Sequence, residues 1–222
     1  MKDMVGDFLS NVVTLEGPIL QTVKDLTIRP GKIINVYLNG KHKGYYKPFQ
    51  YYILASTVYF LFFYLWGNEI MTMLSNLGAD ANTYATTDEI TTLQKQMNNF
   101  QSKNMKFFTF LQIPIYSWLI WLFFRKSSNH SYTETLVTSL YIMSQALFFG
   151  IIFTFFEFFS SGLSIILSAV FMFIYVLWTL KQLYNDTTFK TILKSTTIII
   201  LAFILYGILM AIISLIWVIL LR

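Results

Sequence analysis

Two sets of residues in this chain have the types and spacing to do chemistry. The first consists of polar side chains set singly into long apolar runs. Gln112 and Ser117 flank Pro114, Thr138 precedes Gln145 by one heptad with Ser144 adjacent, and Glu157 stands in FFEFFSSG. Amides and hydroxyls at helical spacing either bond across to a neighbouring helix or line a narrow polar path. A ring of Glu157 carboxylates from several copies would favour cations at a pore mouth. Alternatively Glu157, close to the Ser160-Ser161-Gly162 turn, reaches headgroup water. The second set is basic. Residues 28–48 read IRPGKIINVYLNGKHKGYYKP and hold Arg29, Lys32, Lys41, Lys43 and Lys47 with His42; after Asp25 the next acid is Glu69. Arg125 and Lys126 form a second patch, and Lys181, Lys190 and Lys194 around Asp186 a third. Such patches recognise anions: the headgroups of a lipid bilayer first, then an acidic soluble protein or a partner containing nucleic acid.

Reaction chemistry is poorly provided for. There is no Cys and there are two His, His42 and His130, which removes thiolate metal sites, thiol nucleophiles and an all-histidine site. No Gly-rich phosphate loop, zinc-protease helix or nucleophile elbow is found. No Asp or His falls within an expected membrane helix. The expectation is therefore no enzyme, no catalytic residue, no metal and no cofactor. Glu134 closes Ser131-Tyr132-Thr133-Glu134, the pattern of a capping box. Its other reading is a contact for Arg125, Lys126 or an external ligand.

These residues need elements to position them, and composition says which. The chain has 222 residues, 55% hydrophobic and 12% charged, about half the charged fraction of a soluble domain. Lipid must therefore be part of the solvent. Five segments reach the roughly 20 apolar residues of a spanning helix: Pro48–Trp66, Lys106–Phe124, Thr135–Phe159, Leu163–Leu180 and Thr196–Leu221. Backbone groups in hydrocarbon must bond internally, so all five are read as helices, with Pro114 expected to kink the second. The first residues, MKDMVGDFLSNVV, do not read as a cleavable signal peptide. Placing the amino end in the cytoplasm puts twelve Lys and Arg inside and four outside. That split favours N-in and C-out.

Residues 1–47 are expected to form an interfacial segment with two short amphipathic helices. One starts at Pro18 with Ile19, Val23 and Leu26 on a face. The other starts at Pro30 with Ile33, Ile34, Tyr37 and Leu38, and stops at Gly40. A helix-turn-helix DNA reader, with Lys32, Asn35 and Asn39 as its polar residues, is the competing view. Residues 48–222 form the transmembrane domain, including an exterior loop over 67–104. There Ile70, Met73, Leu74 and Leu77 fit a helix ending at Gly78. Thr86 and Glu89 fit a capping box that opens a second helix carrying Ile90, Leu93, Met97 and Phe100.

Three segments together resemble a bacterial multi-pass inner-membrane family of unknown function. They are Arg29-Pro30-Gly31-Lys32 through Tyr37-Leu38-Asn39-Gly40-Lys41 to Tyr46-Lys47-Pro48-Phe49; Tyr132, Glu134, Leu136-Val137, Tyr141 and Gln145; and Leu180-Lys181, Tyr184 and Thr191-Ile192-Leu193-Lys194. Members of that family often carry a zinc ribbon ahead of the first segment, and no Cys is present here to form one. The resemblance implies a bacterial inner-membrane location and flags the interior loops. The leading expectation for function is a homo-oligomeric pore or permeabilising accessory, controlled from its basic cytoplasmic face. Small membrane accessories of antiviral defence systems offer an analogy in size and membrane character. A scaffold docking a soluble partner through residues 1–47, or a small transporter, is the alternative.

Overall fold

The computed structural model describes residues 18–41, 44–78, 96–97, 99–128, 130–157, 163–184 and 186–220. Among the described residues there are helices and no strands. They are α1 over 18–28, α2 Pro30–Leu38, α3 Pro48–Gly78, α4 described over 99–103, α5 Met105–Phe124, α6 Tyr132–Glu157, α7 Leu163–Leu183 and α8 Thr188–Leu220. Five contain stretches long and apolar enough to cross a membrane: Pro48–Trp66, Met105–Phe124, Tyr132–Phe156, Ile166–Leu183 and Thr188–Trp217. The chain is an all-α, multi-pass membrane protein, as its composition requires.

Hydroxyls inside these helices meet the lipid constraint locally. Thr109, Ser139, Ser144, Thr154, Thr179 and Ser214 each donate to the carbonyl four residues earlier, a bond that costs the helix little and leaves no bare O–H in hydrocarbon. α5 continues through Pro114 as one helix. α8 begins at Thr188, eight residues before the apolar run expected at Thr196, because TFKTILKS is helical too. α3 runs unbroken past Trp66 to Gly78. Ile70, Met73, Leu74 and Leu77 therefore continue the first helix instead of opening a separate one, and α3 is described as far as Gly78. The Thr86–Glu89 capping box and the Ser160-Ser161-Gly162 turn lie outside the described residues. Phe100 does pack within the chain: it stacks on Trp217 of α8 at 4.5 Å, and Gln101 Nε2 donates to Ser214 of that helix at 3.4 Å.

α6 is the centre of the bundle. It packs against α3, α5, α7 and α2, while α8 packs against α5 and α7. α3 does not start level with α6. The Tyr51 side chain, in the first turn of α3, reaches Gln145, about 20 Å along the axis from the start of α6 at the usual helical rise. The space this leaves beside α6 and α7 is taken by α1 and α2. Their apolar faces form as expected, and they are covered by protein: Leu26, Ile33 and Ile34 belong to the same buried cluster as Tyr141, Tyr175 and Leu180. The N-terminal helices are thus part of the bundle's core, with their polar edges and the apolar Leu20 and Ile28 left exposed.

α1 ends at Ile28, and the non-helical backbone of Arg29 (φ −144°, ψ 59°) turns the chain before Pro30 opens α2. Gly31 then meets α7 backbone to backbone. A Cβ on Gly31 would lie 2.4 Å from Gln182 Cβ, 2.6 Å from the Thr179 carbonyl oxygen and 2.9 Å from the Leu183 nitrogen. Two of those three atoms are main chain and cannot rotate away. Gly31→Ala is expected to destabilise the protein by about 1–3 kcal/mol, the usual cost of overpacking. Thermal unfolding in detergent checks this, and an unchanged midpoint would show that α2 is not held against α7.

Candidate functional site

The sequence set Gln145 aside as a polar group in an apolar run. The structure shows what it bonds. Tyr51 of α3 donates its hydroxyl to Gln145 Oε1 at 2.7 Å. Gln145 Nε2 donates to Thr27 Oγ1 of α1 at 2.7 Å, and Thr27 donates onward to the Val23 carbonyl at 2.7 Å. One amide thus joins a spanning helix, the central helix and the N-terminal hairpin. Two more phenols hold the same hairpin. Tyr175 of α7 donates to the Leu26 carbonyl at 3.2 Å, and Tyr141 of α6 donates to the Tyr46 carbonyl at 2.8 Å. Inside the N-terminal segment, Tyr46 N–H donates to Thr22 Oγ1 at 3.0 Å and Tyr45 donates to Asp25 Oδ2 at 3.2 Å. Tyr141 and Tyr175 thus clamp residues 18–46 directly, and Tyr51 of a third spanning helix does so through Gln145.

The remaining polar candidates do not meet Gln145. Ser117 pairs with Thr135 across α5 and α6 at 3.4 Å. Gln112 pairs with Tyr206 of α8. Thr138 donates to the Glu134 carbonyl in its own helix. Among the described residues each of these polar side chains therefore joins a different pair of elements or closes a local bond. Glu157 ends α6, and its side chain lies outside the described residues.

The basic candidates divide into engaged and exposed. Lys194 is engaged: its Nζ donates to Asp186 Oδ2 and to Ser127 Oγ, each at 2.6 Å, and lies 4.8 Å from the centre of the Phe124 ring. Lys181 donates to the Asp186 carbonyl. These bonds fasten the loop before α6 to the loop before α8, and Phe124 stacks on Tyr184 at 4.2 Å beside them. Arg125 lies over the Trp121 ring at 5.4 Å. Arg29, Lys32, Lys41, Lys47, Lys126 and Lys190 are exposed. His42 and Lys43 lie outside the described residues. Glu134 forms the expected capping box: its Oε2 accepts from the Ser131 N–H at 2.6 Å, and Ser131 Oγ accepts from the Glu134 N–H at 3.4 Å. That carboxylate is held by Ser131, not by Arg125 or Lys126.

The lysine beside Asp186 holds its carboxyl below the usual carboxylate range, with the Ser127 hydroxyl adding to the effect. His130 Nδ1 and the Tyr184 hydroxyl are buried without a hydrogen-bond partner, with ring centres 5.4 Å apart. Among the described residues no three His, Asp or Glu side chains stand together as metal ligands would.

The residues that sequence reasoning missed are chiefly phenols. Tyr51, Tyr141 and Tyr175 sit in apolar stretches and read as aromatic bulk. The available signal was that a Tyr hydroxyl in a spanning helix needs an acceptor. The three segments that carried the family resemblance do gather at one end of the bundle. Tyr141 donates to the Tyr46 carbonyl, and Gln182, between Lys181 and Tyr184, accepts from the Lys32 N–H.

Gln145→Leu is expected to cost roughly 1–2 kcal/mol, at the upper end for a hydrogen bond between membrane helices. Tyr51→Phe with Gln145→Leu should cost less than the sum of the two, because they share one bond. A double-mutant cycle in detergent measures this, and strict additivity would remove the clamp. The Lys194–Asp186 pair gives a pH dependence. A folded carboxyl pKa below its unfolded value adds stability above the unfolded pKa, near 4, and that stability is lost as pH falls through the folded value. The unfolding midpoint should drop as pH is lowered through this window, and the drop should be smaller in Asp186→Asn.

A family model described as a protein of unknown function (DUF3667) matches residues 16–60, the stretch that holds α1, α2 and the first part of α3. No curated protein and no solved structure matches the chain.

Proposed function

We propose that this protein is a non-enzymatic membrane docking module, set in a bacterial inner membrane with its amino end in the cytoplasm. Its bundle holds a basic hairpin in one fixed pose for an acidic soluble protein. The observation that carries this reading is the clamp. Gln145, Tyr141 and Tyr175 bond directly to residues 18–46 and Tyr51 bonds Gln145, while Lys24 and Lys41 on that segment and Lys47 just after it stay exposed. A flexible basic tail would attract anions equally well. Rigid attachment adds a defined spacing of charge, which favours one protein surface over others.

A second reading is an oligomeric pore or permeabilising accessory of the kind found in antiviral defence. It is supported by an open groove of about 680 Å³ between α3 and α5, which carries Ser56, Thr57, Ser102, Lys103 and Lys106 in a mainly apolar wall. Because Gln112, Ser117 and Gln145 are paired between elements of one chain, such a pore would have to form between copies, along surfaces like this groove.

The docking reading predicts that protein in neutral-lipid nanodiscs recovers an acidic partner from cytoplasmic extract. Lys24→Glu, Lys41→Glu and Lys47→Glu combined should lower recovery by more than tenfold at unchanged helical circular dichroism. Equal recovery by both forms, or displacement of the partner by a single-stranded oligonucleotide, would overturn it. Ion leakage from vesicles that contain the purified protein alone would favour the pore.

A further inference from the structure

Arg29 and Lys32 stand apart from the other exposed cations because of what lies beside them. With Ile28, Trp178 and Gln182 they line a shallow cleft of about 460 Å³ between the hairpin and the end of α7. Their position is fixed. Gly31 allows the first turn of α2 to lie directly on α7, and Gln182 Oε1 accepts the Lys32 N–H at 3.4 Å. Among the described residues no carboxylate pairs with them: the one ion pair there is Lys194–Asp186, and the Asp25 carboxylate accepts from Tyr45. α2 has no acidic residue in its first turn and no side-chain cap, so the positive end of its dipole adds to the two charges.

The surroundings select the anion. Leu167, Phe171, Ile174 and Trp178 are all exposed on α7. Their spacing of four, three and four places them on one face of the helix. This stripe lies within the membrane-spanning stretch of α7 and ends at the cleft. Within that stretch the stripe faces the acyl chains of the bilayer, so the cleft opens beside lipid. A lipid covers both parts at once, and an indole beside the headgroup is where amphipathic rings gather.

We propose that Arg29 and Lys32 bind the phosphate of an anionic phospholipid whose acyl chain lies along the Leu167–Phe171–Ile174–Trp178 stripe. The docking reading uses Lys24, Lys41 and Lys47, so either can fail without the other.

The test reads Trp178 directly. The full chain is reconstituted in phosphatidylcholine bilayers containing a small fraction of brominated-chain phosphatidylglycerol or, separately, brominated-chain phosphatidylcholine. Trp178 emission is isolated as the difference between the wild type and Trp178→Phe. The phosphatidylglycerol should quench with about tenfold higher apparent affinity at low ionic strength. Arg29→Gln with Lys32→Gln should erase the preference. Arg29→Lys with Lys32→Arg should keep it, as should the distant control Lys190→Gln. Equal quenching by the two lipids would overturn the proposal. So would displacement by millimolar inorganic phosphate beyond that caused by chloride of the same ionic strength, since the site would then read soluble phosphate.

Discussion

A glutamine amide in hydrocarbon must find partners for both its ends, because no water is present to supply them. Gln145 finds one on α3 and the other on α1. That constraint shapes much of the rest of the structure. To reach Gln145, the hairpin must lie against α6 and α7 beneath the first turn of α3. To lie there, α2 must approach α7 at a distance only glycine permits, which accounts for Gly31. Leu26, Ile33 and Ile34 then enter the same core as the spanning helices, and burial of roughly 1.5–3 kcal/mol per such side chain supports the polar bonds. Polar and apolar contacts thus point to one arrangement of the N-terminal segment.

The same end of the bundle carries a second fastening of a different kind. Lys194, Asp186 and Ser127 join two loops through charge-assisted bonds, which are shorter and stronger than neutral ones. The pair is only partly buried, with side chains 22% and 16% exposed, so water screens it and its contribution is modest. The hairpin clamp is better buried: Gln145, Tyr51, Tyr141 and Tyr175 all lie in the core. Between them the two fastenings order the basic end while leaving Lys24, Arg29, Lys32, Lys41, Lys47, Arg125, Lys126 and Lys190 exposed. This combination of an ordered backbone and free cations motivates a binding role for that end.

The spans were legible because hydrocarbon allows few structures. Thirty ångströms of apolar core demand a long apolar run, and the run is visible without any knowledge of neighbours. Glu134 was legible for a similar reason: its capping box is local, and both partners lie within four residues. Gln145 was recognised as needing a partner, but nothing in the sequence named Thr27 or Tyr51, which lie far from it along the chain. The offset start of α3 escaped notice altogether. An apolar run fixes the length of a helix and says nothing of its height relative to another. Residues 1–47 read as interfacial because amphipathic helices of this length look alike whether lipid or protein covers them. Gly31 entered only as one residue of the Arg29-Pro30-Gly31-Lys32 segment, and its partner is the main chain of a helix some 150 residues later.

The central claim is that the N-terminal hairpin is built into the bundle. Amide hydrogen exchange over residues 18–46, in detergent at neutral pH, measures this most directly. If the hairpin is clamped, α1 and α2 exchange slowly, on the timescale of the buried half of α6, and Gln145→Leu speeds α1 selectively. Exchange of α1 and α2 at the rate of a free peptide, while α6 stays protected, would contradict the account.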